Sequence, residues 1–214
     1  MHVKPKQVTL KRLSRGVLMV GSALLLAACV GERSPPTRYF GLDAMDHVQS
    51  QRSASGKEAV GLAIKPIHLP RYLNRRNIVV RHGENRLAMS PFHQWAGNLS
   101  EEIGRVLTIN LSTLLDSPRV AQLPQLELEK PDLVLEVDIL RFEGENPDRV
   151  VMLAQWRLRS NDKSIASPLK VSLYEEPLEK RSGYARFPRA MSKVLARFSR
   201  EVANVVRQMH VNHL

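Results

Sequence analysis

Apolar positions along this chain recur at two spacings, every second residue and every third or fourth. The change from one to the other marks its elements. Tyr39-Phe40-Gly41-Leu42 is a short strand candidate, and the polar stretch 43–58, with Ser50, Ser53, Ser55 and Gly56, reads as a loop. From Ala59 to Leu69, Val60, Leu62 and Ile64 alternate with small or polar residues, the period of a half-buried strand. Pro66 and Pro70 confine the end of that strand to an edge or an exit. Ile78-Val79-Val80-Arg81 is a further strand, His82-Gly83-Glu84-Asn85 a turn, and Arg86-Leu87-Ala88-Met89 the returning hairpin partner.

The spacing then lengthens. Ser90-Pro91 has the chemistry of a helix start, a serine N-cap followed by a proline at the first helical position. Trp95, Leu99, Ile103, Val106, Leu107, Asn110 and Leu114 recur at three and four, predicting a helix to about Leu115, stopped by Asp116-Ser117-Pro118. Three strands follow. Asp132–Phe142 places Leu133, Leu135, Val137, Ile139 and Phe142 largely on one side, and Gly144-Glu145-Asn146-Pro147 turns. Arg149–Arg159 opposes Val150, Met152, Ala154, Trp156 and Leu158 to Val151, Leu153, Gln155, Arg157 and Arg159. After a turn at Asn161-Asp162-Lys163, Ala166–Tyr174 completes a meander with Leu169, Val171 and Leu173 in phase as its buried row. A last helix, about Pro188–Met209, carries Met191, Val194, Leu195, Phe198, Val202, Val205, Val206 and Met209 as its stripe. Two long amphipathic helices packed on a mixed β-sheet of about five to six strands satisfy every apolar face. The expected class is therefore α/β of the α+β kind, in a single domain.

The first thirty residues follow another rule. Lys4, Lys6, Lys11, Arg12 and Arg15 precede an apolar run from Gly16 to Ala28, and no acid interrupts them. The run is about 13 residues, whereas a membrane-spanning helix needs about 20. A basic segment, a short apolar segment and small residues before a cleavage point describe an export signal. The competing reading, a transmembrane anchor, suits the length less well. Behind the run, Leu26-Ala27-Ala28-Cys29 holds the only cysteine of the 214 residues. That quartet resembles the bacterial lipobox. Its thiol can form a thioether to diacylglycerol, and cleavage before Cys29 frees an amine for a further acyl chain. The alternative is an incidental free cysteine. Residues 1–28 are thus read as a lipoprotein signal peptide. Residues 29–58 are read as the lipidated N-terminus and tether with the strand 39–42, and 59–214 as a periplasmic domain whose sheet 39–42 joins.

Composition refines this picture. With one cysteine there is no intramolecular disulfide, so the domain holds by packing. The formal net charge is +11. Five of those cations lie in the signal, leaving about +6 spread thinly, which argues for mild attraction to anionic membranes and against nucleic acid. Residues 30–38, with Pro35 and Pro36, form an extended tether reaching about 30 Å at about 3.3 Å per residue.

Catalytic patterns are sparse. The sequence has neither a glycine-rich phosphate loop nor a Gly-x-Ser-x-Gly elbow. His210 and His213 stand three apart in the terminal tail without a neighbouring cysteine or carboxylate, so no metal is assigned. Glu101-Glu102 and Glu175-Glu176 are adjacent pairs whose side chains diverge, which suits solvated faces rather than acid/base work. No catalytic residue and no cofactor are predicted, apart from the covalent lipid on Cys29. The unusual segment is 66–81, Pro-Ile-His-Leu-Pro-Arg-Tyr-Leu-Asn-Arg-Arg-Asn-Ile-Val-Val-Arg. It is either a stiff crossover or a contact surface, since tyrosine and arginine are favoured at interfaces.

Pro66, Leu69, Pro70, Tyr72, Leu73, Arg75, Ile78, Val79 and Arg81 carry a resemblance, together with Trp95, Leu107, Asn110 and Leu111 farther along. With the lipobox, they resemble the ABC-type transport auxiliary lipoproteins (DUF330, the PqiC/YmbA group), over essentially the whole chain beyond the signal. Phe40 stands where that family often has a second tyrosine. The resemblance implies a non-enzymatic α/β domain tethered by lipid to the periplasmic face of the outer membrane. It implies service with a mammalian-cell-entry (MCE) domain protein and its inner-membrane partner in moving lipid between membranes. Val30, which is not aspartate, agrees with that destination. A homo-oligomeric ring would suit the end of a conduit. Tyr72 and Arg75 are the expected partner contacts. The rival reading is a lipoprotein activator of a cell-wall synthase, although such activators commonly carry longer tethers.

Overall fold

The sheet is organised by one long strand that pairs along both edges. The computed structural model describes residues 34–45, 59–124, 130–146, 148–160, 165–179 and 183–211. Its elements run β1 (Arg38–Phe40), β2 (Leu62–Ile64), β3 (Asn77–His82), β4 (Arg86–Trp95), α1 (Leu99–Leu115), β5 (Val120–Gln122), β6 (Leu133–Asn146), β7 (Arg149–Ser160), β8 (Lys170–Pro177) and α2 (Arg186–Val211). Residues Thr37–Leu214 form one compact unit. The signal 1–28, Cys29, the tether through residue 33, residues 46–58 and the turn at 161–163 lie outside the described residues.

On one edge of β6, β2 runs parallel to Leu133–Leu135 and β3 parallel to Gly144–Asn146; on the other edge β7 runs antiparallel along nearly the full length. β8 closes the meander against β7, and β4 and β1 extend the sheet beyond β3. β5 pairs with β2. The register of β6 on β7 jumps between Ile139 and Arg141, leaving Leu140 unpaired and 40% exposed. This bulge lets Ile139 and Phe142 both face the core although they are three residues apart. The core lies between this sheet and the two helices. Phe198 of α2 meets Trp156 and Tyr174 edge-on, and Asn110 of α1 donates to Ser199 of α2 at 3.1 Å in the buried helix seam.

The α+β class and the mixed sheet stand as expected, with eight strands. Four local expectations are corrected. The helix does not begin at Ser90-Pro91: β4 continues to Trp95. Two neighbours compete for that segment, and β1 pairs with His93–Trp95 while β3 pairs with Arg86–Met89 and Gln94. Pro91 falls where the β3–β4 register jumps, so its missing N–H removes no pairing to β3. Asn98 is the real cap. Its backbone is extended, and its side-chain oxygen accepts from the N–H groups of Ser100 at 2.9 Å and Glu101 at 3.4 Å.

The predicted strand 59–69 shortens to Leu62–Ile64, with a single further bridge at His68, because Pro66 interrupts the ladder. The predicted turn at 144–146 is instead the end of β6, paired to both β3 and β7. Gly144 is needed there for closeness: a Cβ would run into the Phe187 ring at the start of α2.

The fourth correction concerns β8. Leu169, Val171 and Leu173 are exposed by 62%, 60% and 58%. The inward row is Lys170, Ser172, Tyr174 and Glu176. Trp156 Nε1 donates to Ser172 Oγ at 3.0 Å, Ser172 Oγ donates to Glu201 of α2 at 2.9 Å, and the Tyr174 hydroxyl donates to the same carboxylate. Turning the apolar row inward would strand these polar groups, and an unpaired buried polar group costs about 1–3 kcal/mol.

Three substitutions check these assignments. Asn98→Ala should lower stability to urea by about 1 kcal/mol; an unchanged midpoint would place the helix start elsewhere. Leu173→Ala should shift stability by no more than about 0.5 kcal/mol. Leu158→Ala, in the buried row of β7, should cost about 2–5 kcal/mol.

Candidate functional site

The segment 66–76 joins two strands that lie on the same edge of β6. After the His68–Asp138 bridge the chain leaves that edge, and it returns at Val80 opposite Gly144. In the excursion the Pro70 carbonyl accepts from the N–H groups of Leu73 at 2.9 Å and Asn74 at 3.3 Å. That turn buries Leu73, half-buries Tyr72, and leaves Arg71, Asn74, Arg75 and Arg76 exposed.

Tyr72 is the pin. Its hydroxyl donates to Oε2 of Glu143 at 2.8 Å. Glu143 is completely buried, on the sheet face away from the helices and opposite Val151 of β7. Arg81 Nε and Arg141 Nε donate to its other oxygen at 2.9 and 3.1 Å, and the Phe142 N–H donates to Oε2 at 3.2 Å. Each oxygen thus has two donors, the condition under which a buried carboxylate is tolerable. Burial, reinforced by the adjacent Glu143 charge, pushes the Tyr72 phenol up to about 12, so it remains a donor at all ordinary pH.

The two predicted contact residues therefore differ in setting. Tyr72 spends its hydroxyl inward and holds the loop; Arg75 points outward, its Nη1 2.7 Å from the sulfur of Met89 on β4. Glu143 and Arg141 were missed by sequence reasoning. A glutamate at the end of an alternating strand reads as solvent-facing, and only the Leu140 bulge and the covering loop place it inside.

A second carboxylate lies on the same face. Glu136 accepts from Lys65 at 2.6 Å, from Arg157 at 2.7 Å and from Arg159. Burial acts to raise its carboxyl, but these three cations outweigh it and hold it down at about 2.

Among the described residues, the groups with catalytic chemistry are engaged in packing and ion pairs. Ser90 Oγ and His93 Nδ1 lie 2.7 Å apart. Ser90, however, is buried in the β4 bulge, and the imidazole stacks between Phe40 and Tyr184. Burial, with Arg38 nearby, lowers the His93 pKa. Glu102 of the first adjacent pair bonds Arg105 at 2.9 Å, while Glu175 and Glu176 diverge toward Arg149 and Lys193. His210 is in the last turn of α2, and His213 lies outside the described residues. Among the described residues no cluster of three His, Cys, Asp or Glu could hold a metal, and no helix is long and apolar enough to cross a membrane. What the arrangement can do is present a rigid cationic loop tip.

Tyr72→Phe should destabilise the fold by about 1–3 kcal/mol, since it leaves a buried acceptor short of a donor. Glu143→Gln should cost more, about 3–5 kcal/mol, because Arg81 and Arg141 lose their buried counter-charge; chemical denaturation measures both. For Glu136 the folded carboxyl titrates below the unfolded one. Its contribution is complete above about pH 4.5 and is lost as pH falls toward about 2. Melting temperature followed across that window should fall less steeply for Glu136→Gln than for the unaltered chain.

The family model for the ABC-type transport auxiliary lipoprotein component matches residues 40–203, which contain the loop, Glu143 and most of both helices. Intermembrane transport lipoprotein PqiC of Escherichia coli (strain K12) is 23% identical over 193 residues, covering 90% of this chain and 96% of that protein. PqiC of Shigella flexneri matches to the same extent. Among solved structures, a Xanthomonas campestris protein of DUF330 superposes with a TM-score of 0.62 at 13% identity, over 83% of this chain and all of that one. An uncharacterized protein gives the same TM-score at 19% identity, over 80% and 99%. The fold of these neighbours is the two-helix, mixed-sheet architecture described above. With the match running from β1 to the middle of α2, this chain belongs to the ABC-type transport auxiliary lipoprotein component family.

Proposed function

We propose that this auxiliary lipoprotein is anchored through Cys29 to the periplasmic face of the outer membrane. There it serves, without catalysis, as a docking subunit of an MCE-type system that moves lipid between membranes and supports envelope integrity. The observation that carries this reading is the family match over 40–203, combined with the Leu26-Ala27-Ala28-Cys29 lipobox ahead of it. The relatives' name, intermembrane transport lipoprotein, points the same way. Cys29 carries the diacylglycerol and N-acyl chain, and residues 30–37 give a reach of less than about 30 Å, which favours work near the membrane. The exposed loop tip around Arg75 is the contact surface for an MCE-domain protein, with Tyr72 holding that tip in place. Several copies would ring the end of the conduit.

In-cell crosslinking of the tagged, lipidated chain tests this. An MCE-domain protein should be captured, and Arg75→Glu should cut its yield several-fold while leaving the melting temperature unchanged. Capture of a penicillin-binding protein instead would make the chain an activator of cell-wall synthesis. Cys29→Ala should abolish fractionation with the outer membrane; retention there would overturn the anchoring.

A further inference from the structure

β8 is a sheet edge built differently on its two sides, and its backbone is open between them. The ladder fixes which groups are open. The carbonyls of Leu135 and Val137 accept from Lys65 and His68, so odd-numbered groups of β6 serve its β2 edge in this stretch. Even-numbered residues of β6 therefore bond to the odd-numbered residues opposite them on β7, namely Gln155, Arg157 and Arg159. That leaves the even-numbered groups of β7 for β8, in agreement with the Leu158 carbonyl accepting from the Ser167 N–H at 2.8 Å. Lys170, Ser172 and Tyr174, opposite Trp156, Ala154 and Met152, thus bond inward. Val171, Leu173 and Glu175 aim their N–H and C=O groups off the edge. Arg197 of α2 reaches round to donate to the Glu175 carbonyl at 2.8 Å, which closes the edge there, while among the described residues no strand pairs with the outward groups of Val171 and Leu173.

The side chains on either side of this opening differ in chemistry. Leu169, Val171 and Leu173 form an exposed apolar row where sheet edges ordinarily carry charge. On the helix side stand Lys170, Lys193 and Arg197. Lys170 pairs with Glu201, Lys193 with Glu176 and Glu179, and Arg197 with Glu176, and in every pair the cation is more exposed than its carboxylate, so the cations stand outermost.

We propose that β8 accepts an extended strand from a partner protein, in which apolar and acidic side chains alternate. Added to the edge, such a strand takes main-chain hydrogen bonds from Val171 and Leu173. By its period of two, it places one row on Leu169, Val171 and Leu173 and the other beside Lys170, Lys193 and Arg197. The inference extends the reading of this chain as a docked subunit and concerns a different surface from the Arg75 loop.

The test uses the lipidated chain in detergent with three labelled peptides: alternating valine and glutamate, the same composition with valines and glutamates in separate blocks, and alternating valine and lysine. Fluorescence anisotropy should show the first binding at least about tenfold tighter than the others, about 1.4 kcal/mol. Hydrogen exchange should slow at the amides of Val171 and Leu173 when it binds. Val171→Pro removes an outward N–H that β7 does not use, and Leu173→Asp alters only an exposed side chain; each should lose at least about tenfold in affinity with unchanged circular dichroism. Equal binding of all three peptides, protection elsewhere, or full binding by both variants would overturn the proposal. So would sedimentation showing self-association that Leu173→Asp abolishes, because the edge would then belong to a second copy of this chain. The crosslinking experiment reads the transport partner independently, so either result can fail alone.

Discussion

The rest of the structure depends on the pairing of β6 along both edges. A strand presents side chains to two faces and backbone groups to two edges, all with a period of two. Once β2 and β3 occupy one edge and β7 the other, the orientation of every neighbouring residue follows by counting. Along β6 the exception is Leu140, whose bulge resets the count. Upstream of it Val137 and Ile139 face the helices; downstream Phe142 does, and Glu143 turns to the other face. The same count, carried through β7, decides which groups of β8 are spent inward and which remain open.

Placing a carboxylate inside requires compensation, and the loop between β2 and β3 supplies part of it. Glu143 receives a phenol from that loop, one guanidinium from β3 and one from its own strand. Such a site is a poor source of net stability, because desolvation offsets much of the attraction. It is a strong source of position, since losing any partner exposes the rest to the desolvation cost. The loop tip that carries Arg75 is thereby held at a defined place on the sheet without regular structure of its own. The buried polar groups thus fix the shape of the loop, and Arg71, Arg75 and Arg76 are the cations it shows to solvent.

The two surfaces differ physically. The Arg75 tip is cationic and exposed; the β8 edge combines outward backbone groups with apolar and basic rows.

Much of this was legible in the sequence. The helical stripes and strand alternation follow from periods of three to four and two. The α+β class, the buried row of β7 and the stripe of α2 were therefore readable directly. Ser90-Pro91 was misread because its local helix-start chemistry was overridden by β1, a strand some fifty residues earlier in the chain, pairing with His93–Trp95. Leu169, Val171 and Leu173 were misread because hydrophobicity alone cannot show that Trp156 and Glu201 wait on the other face for polar partners. Glu143 could not be found at all, since its burial depends on a bulge and on a covering loop about seventy residues away in sequence. Sequence determined which segments form elements. Tertiary structure decided which face of an element is inside, because a face is chosen by the partner across from it, and that partner is remote in the chain.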